Sequence, residues 1–236
     1  MQLIAIEGID GAGKTTIAQN VATELSHRGV VFVSRKHTGD DAFISGELSL
    51  LSRLIWQTSR VHDAALPPDY WLHLQAAWYA AFSRTIIEPA LARHRAVIVD
   101  GWYYKFFAKL LVRGYKKREL EQIFSASRKP DTVILLHVTP ETAWSRGRSF
   151  SVTEMGSHQG YEPGRDSYIE YQKAVLTSLR KIGRHWKRIA VTPHCTAGQT
   201  TAAVVDCVRE LLRMQPTVES EVRLDGMWPV PSLAPT

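Results

Sequence analysis

Five short segments of the chain consist almost entirely of apolar residues. They are LIAI (3–6), VVFV (30–33), AVIVD (96–100), TVILLHV (132–138) and RIAV (188–191). Because apolar and polar residues do not alternate in them, as they would in a sheet exposed to water on one face, they predict strands covered on both faces. Such strands are typical of a parallel sheet.

Segments with helical spacing of apolar residues separate these strands. A long helix is predicted between about residues 70 and 93, with a disturbance near Pro89. Ile17, Val21 and Leu25 share one face of an earlier helix. Further helices are predicted at 116–127, 166–183 and 199–213.

The alternation of strands and helices predicts an α/β fold. We expect a doubly wound, mainly parallel five-stranded sheet flanked by helices, with ligands bound at the carboxyl ends of the strands. The chain has 236 residues, enough for one substantial core. One domain is predicted at 1–214, followed by a proline-rich tail, 215–236, that is either disordered or an extended strap.

Composition excludes several classes of protein. The chain is 44% hydrophobic and 22% charged, and no apolar run is long enough to cross a membrane. Two cysteines without metal-ligand spacing and the lack of a signal sequence favour the cytoplasm. The net charge of +6 suits either nucleic acid or a site that handles phosphate groups, and the basic residues form no long arm. Charge alone therefore does not decide the function.

Residues 8–15, GIDGAGKT, fit the pattern G-x4-G-K-[ST] and lie between a predicted strand and a predicted helix. Glycines allow successive backbone N–H groups to turn around a phosphate, and the N-terminus of the helix adds a favourable dipole. Lys14 can reach the β- and γ-phosphates, and the Thr15 hydroxyl can bind Mg²⁺. The motif thus predicts a site for ATP and magnesium formed by Gly8, Asp10, Gly11, Ala12, Gly13, Lys14, Thr15 and Thr16. The alternative is a flexible turn that matches by chance.

Three classes of protein use this loop. A GTPase needs an N-K-x-D sequence that reads guanine, and the chain has none. A mechanical ATPase or a helicase usually carries further nucleotide-sensing motifs and is longer. A small kinase needs the loop, an acceptor site and a mobile basic segment that closes over the phosphates, and the rest of the sequence favours this class.

The segment AIEGIDGAGKTT resembles the opening of thymidylate kinases. Three later segments follow in that family's order: VSRKHTGD (33–40), IIEPALARHRAVIVD (86–100) and KPDTVILLHVTPETAWSRGR (129–148). The resemblance runs from residue 1 to about 213 and is strongest in the loop. It implies a nucleotide kinase, and it also implies a homodimer.

The resemblance assigns roles to several residues. Asp10 would contact the sugar hydroxyl of the acceptor. Because the loop carries glycine at position 11 and no arginine, catalytic arginines would come from a lid at about 144–166. Arg146 and Arg148 are the candidates, with Arg165 behind them, and the alternative is that they belong to a solvated helix end.

Two further candidates lie at the ends of predicted strands. Asp100 ends the run AVIVD, where its carboxylate can bind magnesium together with Thr15; the alternative is a helix N-cap. Arg35 follows the second strand, where it can meet an acceptor phosphate or remain an exposed surface residue. The predicted catalytic residues are therefore Lys14, Asp100, Arg146 and Arg148.

The predicted acceptor site departs from the family. Gly101 replaces the arginine of the family's Asp-Arg pair, and Lys105 is the candidate substitute, although lysine lacks the bidentate fork of arginine. Counting back from Pro89 puts Gln75 and Tyr79 where the family has a phenylalanine and an arginine that bind thymine. Tyr103 is one of several aromatic residues that could stack on a base.

The sequence thus predicts phosphoryl transfer from ATP to a nucleoside monophosphate, dTMP by default. Two alternatives remain open: a kinase for another nucleotide, nucleoside or metabolite hydroxyl, and a nucleotide-binding protein without catalytic activity. We expect a small-molecule acceptor and neither a nucleic acid nor a membrane partner.

Overall fold

The structure is a computed structural model that describes residues 1–56, 66–146, 149–156 and 162–213. Its strands are β1 (Gln2–Glu7), β2 (Val30–Phe32), β3 (Ala96–Val99), β4 (Thr132–Val138) and β5 (Lys187–Val191). Its helices are α1 (Lys14–Glu24), α2 (Ala42–Trp56), α3 (Pro68–Phe82), α4 (Glu88–Arg93), α5 (Tyr103–Val112), α6 (Lys117–Ile123), α7 (Pro140–Ser145), α8 (Arg165–Ile182) and α9 (Ala197–Arg213). The tail at 215–236 lies outside the described residues, so the domain limits of 1–214 stay a prediction.

The five strands form one parallel sheet in the order β2-β3-β1-β4-β5. β1 lies at the centre, where Ile4 pairs with Ile98 of β3 and Ile6 pairs with Ile134 of β4. The predicted strands and the parallel, doubly wound α/β fold are confirmed. Because β1 and β3 are neighbours, the residues that follow their carboxyl ends meet at one edge of the sheet.

Helices cover both faces of this sheet. Leu3 and Ala5 of β1 pack in one core, Ile4 and Ile6 pack in the other, and all four are 0% exposed. Successive side chains of a strand point to opposite faces, so burial of every residue requires apolar residues at every position. This is the physical reason for the uninterrupted apolar runs in the sequence.

The long helix predicted at 70–93 is confirmed together with its disturbance. α3 and α4 are joined by a wider π-helical turn, Ser83–Ile87, which ends two residues before Pro89. Proline cannot donate the intrahelical hydrogen bond and its ring crowds the preceding turn, which accounts for the local change of helical geometry.

Three helices lie where the sequence pattern predicted none: α2, α5 and α7. Phe43 and Leu50 of α2 are 76% and 42% exposed, so the apolar residues of this helix do not mark a single buried face. Among the described helices, none combines the length and the apolar character needed to span a membrane.

Candidate nucleotide-binding site

The loop of residues 8–13 connects the end of β1 to the first turn of α1. Gly11 has φ +79° and Gly13 has φ +88°, a region that residues with a side chain rarely adopt. A Cβ atom on Gly11 would lie 3.0 Å from the ring of Phe150 and 3.3 Å from Cβ of Ala143. Glycine at position 11 is therefore required both by the backbone and by the aromatic ring above it.

Lys14, the first residue of α1, extends back over this loop. Its Nζ donates hydrogen bonds to the carbonyl oxygens of Gly8, at 2.9 Å, and Ile9, at 2.8 Å. Burial and the nearby ammonium group of Lys105 lower the pKa of Lys14 to about 7. A polyphosphate at the loop would favour the charged ammonium, because opposite charges raise the pKa of a lysine.

Thr15 and Asp100 meet where the carboxyl ends of β1 and β3 lie side by side. The Thr15 hydroxyl donates a hydrogen bond of 2.5 Å to Oδ2 of Asp100. The alternative role of Asp100 as a helix cap does not hold, since α5 begins at Tyr103 and its N-cap residue is Trp102. A hydroxyl and a carboxylate in contact form a donor set that fits Mg²⁺, which prefers a few protein oxygens together with phosphate oxygens.

Glu7, the last residue of β1, is a further residue of the site that no motif in the sequence indicated. It is 0% exposed, and its Oε1 accepts a hydrogen bond of 2.7 Å from the backbone N–H of Trp102. Burial raises the pKa of Glu7 to about 7, against the opposing effects of this N–H group and of Lys14 and Lys105. Its signal in the sequence was a charged residue that ends an otherwise apolar strand.

Asp10 is surrounded by hydrogen-bond donors. Oδ1 pairs with Nζ of Lys105, while Oδ2 lies 2.8 Å from Nζ of Lys109 and 3.2 Å from Nε2 of Gln172. Although burial opposes ionisation, the two ammonium groups hold the pKa of Asp10 well below its usual range. Tyr168 of α8 donates a 2.6 Å hydrogen bond to the carbonyl oxygen of Asp10.

A cavity of about 1380 Å³ extends from the loop between α3, α5 and the segment after α7. Most of the predicted acceptor residues line it, namely Asp10, Arg35, Gln75, Tyr79 and Lys105. Tyr103 does not line it, because its ring is buried and stacks on Phe124 with ring centroids 5.0 Å apart. The structure thus brings five of these six predicted residues to one cavity.

The cavity is also lined by aromatic residues to which the sequence assigned no role. The Arg35 guanidinium lies 4.7 Å from the ring centroid of Trp56, and Trp71 and Phe106 line the same cavity. The Tyr79 hydroxyl is already used, since it donates a 3.2 Å hydrogen bond to the carbonyl oxygen of Trp102. Tyr79 therefore presents its ring rather than a free hydroxyl.

The lid predicted at about 144–166 contains Arg146, which directly follows α7. Its Nη1 donates to the carbonyl oxygen of Gly11 at 3.3 Å, which brings the guanidinium to the phosphate-binding loop. Phe150 packs against Tyr168 with ring centroids 4.2 Å apart. Arg165 is exposed and pairs with its neighbour Asp166. The other candidate, Arg148, lies outside the described residues.

This arrangement defines a class of protein. A parallel sheet with the phosphate-binding loop after its central strand, and a basic cavity beside that loop, is the architecture of a P-loop nucleotide kinase.

Comparison with known proteins identifies the family. The family model for thymidylate kinase matches residues 6–192. A probable thymidylate kinase of Archaeoglobus fulgidus is 35% identical over 147 residues, which are 62% of this chain and 69% of that protein. A thymidylate kinase of Xanthomonas campestris pv. campestris strain B100 is 28% identical over 225 residues, 91% of this chain and 88% of that protein. A probable thymidylate kinase of Pyrococcus abyssi is 27% identical over 188 residues, 80% of this chain and 85% of that protein. The chain belongs to the thymidylate kinase family, and the expected resemblance is confirmed.

Proposed function

We propose that this protein transfers the γ-phosphoryl group of ATP to the phosphate of a nucleoside monophosphate, with dTMP as the acceptor. Membership of the thymidylate kinase family supports this acceptor. The observation that carries the proposal is the complete phosphate-binding loop at residues 8–15, which opens directly into a cavity lined by basic and aromatic side chains.

On the donor side, we assign residues to phosphate binding, to magnesium binding and to stabilisation of the transferring group. Backbone N–H groups of the loop and the ammonium of Lys14 bind the β- and γ-phosphates, while the N-terminus of α1 adds its dipole. Thr15 and Asp100 are the residues that would hold Mg²⁺, and the ion when bound would neutralise charge on the phosphate oxygens. The guanidinium of Arg146, which donates a hydrogen bond to the carbonyl oxygen of Gly11, would stabilise the charge of the transferring group.

On the acceptor side, a phosphate dianion attacks without a strong protein base, so positioning and charge neutralisation are sufficient. Arg35 and Lys105 supply positive charge to the acceptor phosphate. Gln75 is 6% exposed and lines the cavity, so its amide is available to recognise the edge of a base. The aromatic rings of Trp71 and Phe106 provide apolar surfaces for stacking.

The proposal also covers the location and the assembly of the protein. We expect an ATP-dependent enzyme of nucleotide metabolism in the cytoplasm. Family membership makes a homodimer the expected assembly. Light scattering of the purified protein tests the dimer. A chain that ends at residue 214 tests the domain limits: we expect it to retain the melting temperature and activity of the full chain.

The decisive experiment measures ADP release with Mg-ATP and a panel of acceptors. The panel contains dTMP, other monophosphates, the matching nucleosides and a control without acceptor. Rapid turnover with dTMP supports the proposal. Turnover only with nucleosides or other alcohols would make the protein a kinase of a hydroxyl group, and tight ATP binding without any turnover would make it a non-catalytic binding protein.

A further inference from the structure

The turn that follows β3 carries Asp100, whose carboxylate meets the Thr15 hydroxyl. The next residue, Gly101, has φ +94° and takes the place of the arginine in the family's Asp-Arg pair. Because glycine has no side chain and the widest choice of backbone angles, it does not fix the turn by itself. The position of the Asp100 carboxylate therefore depends on contacts made by the neighbouring residues of the turn.

Trp102, the residue after Gly101, is held by three hydrogen bonds to distant parts of the chain. Its backbone N–H donates to Oε1 of Glu7 at 2.7 Å, and its carbonyl oxygen accepts from the Tyr79 hydroxyl at 3.2 Å. Its indole Nε1 donates to the carbonyl oxygen of Arg128 at 2.8 Å. Trp102 is buried, and loss of a partner by a buried N–H or C=O group is unfavourable enough to move the backbone.

The two side chains that bond to the backbone of Trp102 are themselves buried. Glu7 ends the central strand β1, and Tyr79 belongs to α3. The Tyr79 ring packs edge-on against the indole of Trp102, with ring centroids 5.2 Å apart. A Cβ atom on Gly101 would lie 3.9 Å from Oε2 of Glu7, so the turn also passes close to this carboxylate. The turn is thus tied to both the central strand and α3.

We propose that Glu7 and Tyr79 are positioning residues for the magnesium site. Through Trp102 they hold the turn that presents the carboxylate of Asp100. This inference rests on the donor half of the proposed function, in which Thr15 and Asp100 would hold Mg²⁺. It gives the Tyr79 hydroxyl a role on the donor side, although the family has a thymine-binding arginine at this position.

The expected effect of these residues is specific for the metal. Mg²⁺ requires near-ideal octahedral coordination, and loss of a group that orients a metal ligand typically lowers metal affinity by about 10- to 100-fold. The loop amides and Lys14 bind phosphate oxygens directly, without the turn. The ratio of the dissociation constants of ADP without and with Mg²⁺, here called the magnesium ratio, therefore reports on the turn.

Tyr79→Phe removes only the hydroxyl and keeps the ring that lines the cavity. Calorimetry measures the dissociation constant of ADP in EDTA and in saturating Mg²⁺, without any acceptor. We expect Tyr79→Phe to reduce the magnesium ratio by about tenfold, while the affinity for metal-free ADP stays within about twofold of the wild type. Tyr115→Phe is the matched control, because it removes a tyrosine hydroxyl that bonds to Asp69 outside the cavity.

Glu7 is tested by two variants that both lack its charge. Glu7→Gln keeps an oxygen that accepts from the N–H of Trp102, whereas Glu7→Met does not. We expect the magnesium ratio of Glu7→Met to be about tenfold below that of Glu7→Gln. Equal ratios in the two variants would show that this hydrogen bond does not position the metal ligand, and would overturn the role of Glu7.

A double variant separates positioning from a general structural effect. If Tyr79 acts through Asp100, Tyr79→Phe should change the magnesium ratio by less than about twofold in protein that already carries Asp100→Asn. An undiminished effect in that background would overturn the proposal, as would equal weakening of ADP binding with and without Mg²⁺ or a wild-type ratio in Tyr79→Phe. Because no acceptor takes part, failure to phosphorylate dTMP would reject the proposed acceptor and leave the positioning role intact.

Discussion

Replacement of Glu7 by glutamine should make the nucleotide-free protein more stable, and more so at alkaline pH. Glutamine has the shape of the protonated side chain and keeps an oxygen that accepts the hydrogen bond from Trp102 N–H. It removes only the charge that the buried site disfavours.

The magnitude follows from the pKa of Glu7, which burial raises from 4.5 to about 7. At 1.36 kcal/mol per pKa unit, full ionisation lowers the free energy of unfolding by about 3 kcal/mol. Because the pKa is raised in the folded protein, this stability is intact below pH 4.5 and is lost as the pH rises to about 7. The free energy of unfolding of Glu7→Gln should therefore be higher than that of the wild type by about 3 kcal/mol at pH 8 and by about 1 kcal/mol at pH 5.

The attraction of the Glu7 carboxylate to Lys14 and Lys105 is already contained in this raised pKa, so it is not subtracted a second time. Urea unfolding of the nucleotide-free protein at the two pH values measures the difference. Glu121→Gln is the matched control, because Glu121 is exposed and pairs with Lys117 on the surface of α6. Its effect should be below about 1 kcal/mol at both pH values.

A pH-independent difference between Glu7→Gln and the wild type would refute the reasoning. It would mean that Glu7 affects stability through packing or through its hydrogen bond to Trp102, and not through the energetic cost of a buried charge.

Further predictions concern the donor site. Lys14→Ala should lower kcat by about 100- to 1,000-fold with an unchanged circular dichroism spectrum, because the charge on the donor phosphates is lost; a near-normal rate would show that Lys14 does not act on the phosphates. Asp100→Asn should raise the Mg²⁺ concentration for half-maximal activity by about tenfold, measured by magnesium titration of ADP release, since a neutral amide is a weaker ligand. Arg146→Ala should lower kcat by about 1,000-fold while the affinity for ATP, measured by calorimetry, changes little; a loss confined to ATP affinity would make it a binding residue only. Gly11→Ala should lower Tm by about 5 °C in a thermal scan, because a positive φ costs a side-chain-bearing residue about 1–2 kcal/mol and the added Cβ meets Phe150.

Much of the donor site could be predicted from the chain alone. The glycine spacing at 8–13, followed by Lys14 and Thr15, encodes a turn whose conformation depends on neighbouring residues in the sequence. Asp100 could be placed beside it because it directly follows an apolar strand, and parallel strands end at one edge of the sheet. The disturbance of the long helix near Pro89 could also be predicted, because proline affects the helical turn that directly precedes it in the sequence.

The acceptor side was less predictable because its contacts join distant parts of the chain. Family position suggested Tyr79 as a ligand, and its aromatic ring suggested Tyr103. The Tyr79 hydroxyl nevertheless bonds to Trp102, and the Tyr103 ring lies in the core against Phe124. Residue type alone does not distinguish a stacking ring from a packed one.

The sequence by itself therefore determined the sheet, the long helix and the phosphate-binding loop, since each depends on a pattern within a few turns or strand residues. Only the tertiary structure decided that Glu7 is buried against Trp102 and that Asp10 pairs with Lys105 and Lys109 instead of facing the cavity alone. The reason is that burial and ion pairing are set by groups about 95 residues apart, which come together only when α5 packs beside the central strand.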